Sequence, residues 1–333
     1  APRVAARMAW RLVGLLPLYE RVSRAAGVPV RRWGYLGDEW VGSDYMGVLA
    51  PRALQPYAEE QLARHLAARS HRIDLLELLD AEERSRFHDL VLEQWAGAYL
   101  GCERERRFEC PVVEISGSYD GYLREVGRRD NLMRRRKWLQ SQPGYGIEVC
   151  DTPVQVQRGL DDFFRLHARR WESDGGSQGI AGRDVHAFHR DVAHHLAESG
   201  RLRLYTMRLG DQPLASVYGI VQGERFYYYQ SGYDPDWARR SVGLVLLGRT
   251  LEDSWGAGLK RFDFLRGSEP YKFEWANKVR HTELLRLVNR TAGGAAWLAV
   301  RDGTRGAKLA ARRLVGDQIW GRLQKVRRVV RGG

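Results

Sequence analysis

The clearest pattern of apolar and polar positions begins after the Pro-Gly pair at residues 143–144. Residues 145–150 predict a short strand, and Thr152-Pro153 supplies a helix N-cap followed by a proline at the first helical position. Apolar residues then recur every three or four positions, which predicts a helix to about residue 172. A second helix is predicted over residues 184–199, where Gly200 ends it.

Three runs of strand-type alternation follow, at residues 202–209, 213–221 and 225–231. Short turns rich in Gly, Gln and acidic residues separate them, which is typical of a meander. The next helix is predicted over residues 241–255, and two more strands over 260–265 and 282–288. A polar and aromatic segment, residues 267–280, lies between these strands. The order is strand, two helices, meander, helix, strand, strand.

The first half of the chain repeats part of this order. Strands are predicted at residues 11–18, 31–36, 73–78 and 108–115, and helices at about 55–70 and 83–99. The early strand and helices of the second half have no counterpart, so we expect an incomplete first domain. We predict four parts: a partial domain over residues 1–117, a basic connecting helix over 118–143, a second domain over 144–290 and a basic amphipathic tail over 291–333.

The composition is that of a folded protein, with 44% hydrophobic residues in a chain of 333, enough for two cores. Cys102, Cys110 and Cys150 are odd in number and form no CxxC pair, which favours a reducing cytoplasm. The apolar run at residues 8–16 stops at Pro17 without a small-residue cleavage site, so we do not interpret it as a signal peptide. No stretch reaches the ~20 apolar residues of a membrane-spanning helix.

The basic charge is concentrated near the end of the chain. Of the net charge of +13, +10 lies in residues 286–333, which contain twelve Lys or Arg against two Asp. Apolar residues recur at helical spacing from Val315 through Ile319 to Val330, with arginines between them, which indicates a basic amphipathic helix. This helix would either bind peripherally to the inner face of an anionic membrane or pack on the domain through the apolar stripe of the helix. Nucleic acid is the less favoured partner.

A tight turn that enters a helix can bind a pyrophosphate, because the first N–H groups of a helix lack intrahelical partners and lie at its positive end. Such a turn follows the predicted meander, with the sequence Arg240-Ser241-Val242-Gly243-Leu244-Val245. It resembles the coenzyme A signature of GNAT acetyltransferases, in which the last position is Gly or Ala where this chain has Val245. The resemblance implies that these six residues bind acetyl-CoA, or another acyl-CoA, as co-substrate.

Three further segments, residues 166–171, 227–234 and 262–275, resemble the CelD/BcsL-type acetyltransferases, bacterial GNAT proteins associated with cellulose and exopolysaccharide production. Residues 37–49 and 131–137 also match, so the resemblance covers most of the chain before the tail. The family is related to the Fem aminoacyltransferases, which carry two GNAT domains. It implies an α/β (α+β) fold of tandem GNAT-like domains, with mixed central sheets and flanking helices. It also implies a cytoplasmic acetyltransferase acting on an amino sugar, a nucleotide sugar, or a polysaccharide or lipid-linked precursor.

Ionisable side chains crowd just after the predicted strand 260–265, where α/β sheets tend to bind ligands. Acetyl transfer to an amine needs a base, a donor near the thioester oxygen and an acid for the leaving thiolate. Asp263 or Glu269 can serve as the base, Lys272 can stabilise negative charge, and the resemblance implies Tyr271 as the acid. The alternatives are a solvent-facing Asp263, a core tyrosine and a surface lysine.

Other residues are predicted around the same cleft. The end of the meander would offer backbone groups to pantetheine, and Gly232 suits a β-bulge there. The predicted pantetheine contacts are Gln230, Ser231 and Gly232. The predicted acceptor contacts are Asp44, Tyr45, Arg170, Trp171, Tyr233 and Arg266. No carboxylate or cysteine set completes a metal site around His186, His189, His194 and His195, so we predict no metal.

Two other functions stay open. An aminoacyltransferase of the Fem kind would take its acyl group from aminoacyl-tRNA and bind RNA phosphates through Arg134, Arg135, Arg136 and the basic tail. The motif at residues 240–245 favours coenzyme A over this donor. A non-catalytic GNAT scaffold would bind membrane or nucleic acid through the tail. The acceptor, the acyl chain length and the oligomeric state do not follow from the residues.

Overall fold

The computed structural model describes residues 3–8, 11–37, 42–172 and 179–315, and side chains between residues 12 and 303 within these ranges. Its contacts divide the chain into two compact units. Unit 1 comprises Ala1–Phe108 and His281–Gly333, and unit 2 comprises Glu109–Arg280. The predicted tail stripe after Val315 lies outside the described residues.

Among the described residues, seven strands and α-helices precede residue 115. They are β1 (Arg3–Met8), β2 (Arg11–Ala25), β3 (Val28–Tyr35), α1 (Gln55–Ala67), β4 (Leu75–Glu82), α2 (Arg86–Gln94) and β5 (Tyr99–Glu114). Thirteen elements follow. They are α3 (Tyr119–Glu125), α4 (Arg129–Gln140), β6 (Tyr145–Val149), α5 (Pro153–Trp171), α6 (Arg183–Glu198), β7 (Leu202–Leu209), β8 (Gln212–Gln222), β9 (Arg225–Tyr233), α7 (Val242–Gly256), β10 (Arg261–Asp263), α8 (Pro270–Phe273), β11 (Lys278–Asn289) and α9 (Ala292–Val315).

Unit 1 is a mixed sheet with helices packed on it. Its strand order is β1-β2-β3-β4-β11-β5, with residues 99–108 of β5, and only β3 and β4 are described as a parallel pair. β4 is buried along nearly its whole length, as expected for a strand covered on both faces. Helices α1 and α2 bury Leu62, Leu66 and Phe87 in the core of this unit.

The last strand predicted for the second domain, β11, pairs with a strand from the first half of the chain. β11 is antiparallel to β4, with Thr282 opposite Glu82 and Val288 opposite Leu75. Residues from His281 onward therefore lie in unit 1. Periodicity indicated a strand here, but periodicity does not specify the partner strand.

Unit 2 is also a mixed sheet, in the order β5-β10-β9-β8-β7-β6, with residues 109–114 of β5. β10 is parallel to β9, and the meander β7–β8–β9 is antiparallel. One apolar cluster joins the sheet to α3, α4 and α7, and another joins it to α5 and α6. The mixed sheets with flanking helices that we predicted are confirmed. No helix in the described ranges is long and apolar enough to cross a membrane.

Local sequence signals explain several boundaries. Thr152 caps α5 in a reciprocal capping box with Gln155, and Pro153 occupies the first turn as predicted. The predicted single connecting helix is instead two helices, α3 and α4. Gly127 lies between them with a φ of 65°, a left-handed conformation that ends one helix before Arg128 leads into the next.

Candidate functional site

The strands β9 and β10 separate where the ionisable residues begin. Their parallel register pairs Arg225 with Arg261 and Tyr227 with Asp263, the last residue of β10. β9 continues to Tyr233 while paired with β8 on its other edge. Residues 228–233 thus present a strand edge to the opening between β9 and β10. Such an edge offers backbone donors and acceptors to an extended ligand.

A β-bulge lies at Tyr229, not at Gly232 as we predicted. Tyr228 is opposite Gly219 and Gln230 is opposite Tyr218, which leaves Tyr229 as the extra residue. The extra residue reverses the alternation of side chains, so residues 228 and 231 come to the same face of the sheet. The bulge therefore brings two hydroxyl groups of β9 together.

These hydroxyl groups join Tyr271 in a small cluster. The side chains of Tyr228, Ser231 and Tyr271 are hydrogen-bonded to one another. Burial raises the pKa of Tyr228 to about 12, against the effect of its hydrogen bonds to Ser231 and Tyr271. Burial, with Tyr228 and Glu269 nearby, raises the pKa of Tyr271 well above its usual range. Both phenols are neutral at pH 7 and keep a proton to donate.

An ion pair closes the turn that follows β10. Lys272 is buried, with 5% of its surface exposed, and its Nζ donates to the Arg266 carbonyl at 2.8 Å. The same Nζ lies 3.1 Å from Glu269 Oε2, an ion pair without hydrogen-bond geometry. Gly267 has a φ of 140°, and a Cβ there would collide with both charged groups. The interpretation of Lys272 as a surface lysine is wrong, because the turn folds around its ammonium group.

Asp263 is buried rather than solvent-facing, with 1% of its surface exposed. Its Oδ1 accepts a hydrogen bond from the Leu265 N–H at 2.9 Å, which supports a positive φ of 56° at Leu265. Phe262 and Phe264 both lie in the core of unit 2, as alternation about Asp263 predicted. The convergence of Asp263 with Glu269 and Tyr271 on a thioester stays a prediction.

The N-terminus of α7 has backbone N–H groups that lack hydrogen-bond partners within the described ranges, as expected for the start of a helix. Ser241 precedes the helix in the left-handed conformation, with a φ of 56°, and no side chain caps the helix. The N–H of Val245 already donates to Ser241 O at 3.1 Å, and its side chain is in the core. The N–H groups of Val242, Gly243 and Leu244 have no partner among the described residues. Of the six residues predicted to bind coenzyme A, these three therefore have a backbone N–H that can bind an anion.

Arg240 and Gly243 border these donors. The Arg240 guanidinium lies over the Trp138 ring, 3.9 Å from its centroid, a close cation–π contact that fixes its position. A Cβ at Gly243 would lie 3.5 Å from the Tyr233 ring, an ordinary contact, so packing does not require glycine there. Glycine leaves the space above the helix end open to a ligand.

Gly232 serves helix packing. A Cβ there would lie 2.6 Å from the Leu166 carbonyl carbon and closer still to the backbone of His167, so α5 crosses β9 at this residue. His167 Nδ1–H donates to Ser231 O at 3.0 Å, and burial lowers the His167 pKa. The neutral imidazole thus ties α5 to the strand edge. Gln230 pairs with Tyr218 in the same stretch.

The predicted acceptor residues fall in both units. Arg170 lies between two aromatic rings, 4.8 Å from the centroid of Trp171 and 5.3 Å from that of Tyr233. Arg170 is near enough to Tyr228 to lower the pKa of that phenol slightly. Asp44 and Tyr45 belong to unit 1, where Tyr45 has a φ of 56°. Their part in binding an acceptor, and that of the Arg266 side chain, stay predictions.

Two of the α6 histidines considered for a metal site pack against aromatic rings. His186 stacks on Phe164 with ring centroids 4.0 Å apart, and His189 is buried among aromatic rings. Burial lowers the pKa of His189 to about 4. Across the described ranges, no three His, Cys, Asp or Glu side chains are grouped to hold a metal ion.

Tyr228 and Trp138 lie in the site but were not among the predicted site residues. Strict alternation would place Tyr228 and Ser231 on opposite faces of β9, and no sequence signal marks the bulge that brings them together. Trp138 gave no signal either, because its contact with Arg240 joins residues about a hundred positions apart. Unit 2 therefore combines a helix end that can bind an anion, an open strand edge, and neutral phenols beside an ion pair. This set can bind an acyl-nucleotide and protonate a leaving group.

Comparison with known families finds a match over most of unit 2. Residues 127–273 match the model of the acetyltransferase (GNAT) domain family. Over these residues the chain is similar to a GNAT-type acyltransferase domain, and the predicted fold class is confirmed. The match covers the divergent strands, α7 and the turn to Lys272.

Solved structures show the same fold over most of the chain. The match to FemX covers 85% of this chain and 87% of the FemX chain, with a TM-score of 0.56 and 12% identity. The C-terminal domain of a putative lysylphosphatidylglycerol synthetase from Agrobacterium fabrum covers 86% and 87%, with a TM-score of 0.50 and 14% identity. Identities this low show the fold alone. No curated protein matches the sequence.

Proposed function

We propose that unit 2 transfers an acyl group, in the simplest case acetyl, from acyl-CoA to the amine or hydroxyl of a sugar-containing acceptor. The observation that carries the proposal is the start of α7, where three N–H groups lack a partner within the described residues and Gly243 faces Tyr233 at the end of β9. The helix end would hold the pyrophosphate, and the strand edge of β9 would hold the pantetheine arm. The acceptor class, an amino sugar, nucleotide sugar or polysaccharide or lipid-linked precursor, rests on the resemblance to CelD/BcsL-type proteins.

In the proposed reaction, the acceptor nitrogen attacks the thioester carbonyl and the C–S bond breaks. Tyr271 donates its phenolic proton to the leaving sulfur, while Tyr228 and Ser231 hydrogen-bond to the phenolate that forms. Asp263 or Glu269 accepts the proton that the acceptor nitrogen loses. Lys272 keeps the Glu269 carboxylate in place.

A second candidate uses aminoacyl-tRNA as donor. The shared fold with FemX over most of both chains favours it, since the Fem kind carries two such domains. A transfer assay separates the two candidates. Wild-type protein is incubated with radiolabelled acetyl-CoA or with radiolabelled aminoacyl-tRNA and a panel of amino sugars and nucleotide sugars. Acetyl transfer supports our proposal, and transfer from the tRNA alone contradicts it. Transfer from neither donor would favour a non-catalytic scaffold.

A further inference from the structure

Four arginines form a cationic patch at the N-terminus of α7. The patch comprises Arg134, Arg135, Arg239 and Arg240, and all but Arg135 are exposed. Arg135 Nη1 donates to Arg239 O at 3.3 Å, which joins α4 to the turn before α7. Arg134 lies four residues before Trp138 in α4, and the two residues therefore share the helix face that carries the ring on which Arg240 stacks.

Nearby carboxylates do not neutralise this patch. Glu252 pairs with Arg136 at 2.9 Å, and Asp236 pairs with Arg169 at 3.1 Å. Among the residues that the structure describes, none of the four patch arginines has a carboxylate partner. Like charges on neighbouring segments that have no carboxylate partner repel each other, and a bound anion would remove this repulsion. The patch therefore indicates a ligand with negative charge at this position.

The pyrophosphate does not account for the whole patch. Its charge is met by the donors of α7 and by Arg240, which leaves three arginines for other anionic groups. The hydroxyl cluster lies on β9 and the turn after β10, whereas the patch lies on α4 and the turn before α7. The patch thus faces a different part of the donor from the thioester. In CoA that part is the nucleotide, which carries a 3′-phosphate of about −1.5 to −2 charge at pH 7.

We propose that Arg134, Arg135 and Arg239 form a subsite for the 3′-phosphate of the donor and make the protein selective for CoA over dephospho-CoA. The inference rests on the proposed function, because it assumes that the pyrophosphate lies on α7. Arginine suits this role, since its planar guanidinium binds phosphate oxygens in pairs. The stack of Arg240 on Trp138 fixes one side of the subsite before the ligand arrives.

The test compares CoA with dephospho-CoA by isothermal titration, in wild type and in the double variant Arg134→Ala/Arg239→Ala. Wild type is expected to bind CoA at least about tenfold more tightly, as for the loss of one charge-assisted phosphate contact. The double variant should bind the two ligands almost equally, with dephospho-CoA affinity unchanged. Arg158→Ala removes one exposed arginine of α5, outside the patch, and serves as the control for a general loss of positive charge. It should keep the wild-type preference.

Equal binding of CoA and dephospho-CoA by wild type would overturn the subsite and leave the proposed function intact. Failure to bind either ligand would instead contradict the proposed function, and the subsite with it. A CCA-ended RNA hairpin is titrated in parallel. If the double variant loses affinity for the hairpin while wild type does not distinguish the two coenzymes, the patch is an RNA site and our inference is wrong.

Discussion

Replacing Lys272 by methionine should destabilise unit 2 through the charge it leaves behind. The ammonium donates to the Arg266 carbonyl and pairs with Glu269, and 7% of the Lys272 side chain is exposed. Removing one member of a buried ion pair costs about 3–5 kcal/mol. Since 34% of the Glu269 side chain is exposed, water compensates part of this loss, and we expect about 2–3 kcal/mol.

A double-mutant cycle isolates the contribution of the pair. The free energy of unfolding is measured in urea for wild type, Lys272→Met, Glu269→Gln and the double variant. The double variant should be less destabilised than the sum of the single variants, with a coupling of about 1 kcal/mol or more. Lys278→Met is the control, because Lys278 is 58% exposed and should change stability by less than about 0.5 kcal/mol. A coupling near zero would refute the buried ion pair.

Four further predictions follow from the same contacts. Arg240→Ala should weaken acetyl-CoA binding by about 1.5–3 kcal/mol in calorimetry, the range for a hydrogen bond to a charged group; an unchanged Kd contradicts the helix-end site. Asp263→Asn keeps the bond to the Leu265 N–H, so it should fold normally and retain acetyl-CoA affinity, while turnover falls ~100-fold if Asp263 is the base; full turnover assigns the base to Glu269. Gly232→Ala forces α5 away from β9 and should cost about 1–3 kcal/mol in thermal unfolding, and a neutral effect would show that the crossing is loose. Burial raises the Glu283 pKa, but hydrogen bonds from His88 and Arg104 outweigh this effect and lower the pKa to about 2. The stabilisation by the ionised Glu283 carboxylate is therefore present above pH ~4.5 and lost as the pH falls toward 2. Glu283→Gln should remove this contribution to the loss of stability in acid.

The positions of helices and strands could be predicted from the sequence more accurately than the contacts between them. Capping residues, glycines and periodicity located α5, the meander and α7 within one or two residues, since these signals act over a few positions. The bulge at Tyr229 and the stack of Arg240 on Trp138 depend on neighbours brought together by the fold. Chain order likewise could not show that β11 pairs with β4.

Burial was the hardest property of the site to predict. A lysine and an aspartate within five residues of a glycine normally indicate a surface turn. Here, backbone groups satisfy both: the Arg266 carbonyl accepts from Lys272, and the Leu265 N–H donates to Asp263. Only the conformation of the turn, with positive φ at residues 265 and 267, makes these bonds possible.

Unit 1 contains a comparable helix end that its own side chain occupies. Glu283 accepts hydrogen bonds from the N–H groups of Arg84 and Ser85 at 3.0 and 3.1 Å, just before α2. Arg104 and His88 also contact this carboxylate. An anionic ligand would have to displace this carboxylate, so we expect the donor to bind to unit 2 alone.

Hydrogen–deuterium exchange with and without acetyl-CoA tests this assignment most directly. The account predicts slower exchange at the amides of Val242, Gly243 and Leu244 when acetyl-CoA is present, and no change at Arg84 and Ser85. Slower exchange at the start of α2 alone, or no change at the start of α7, would contradict it.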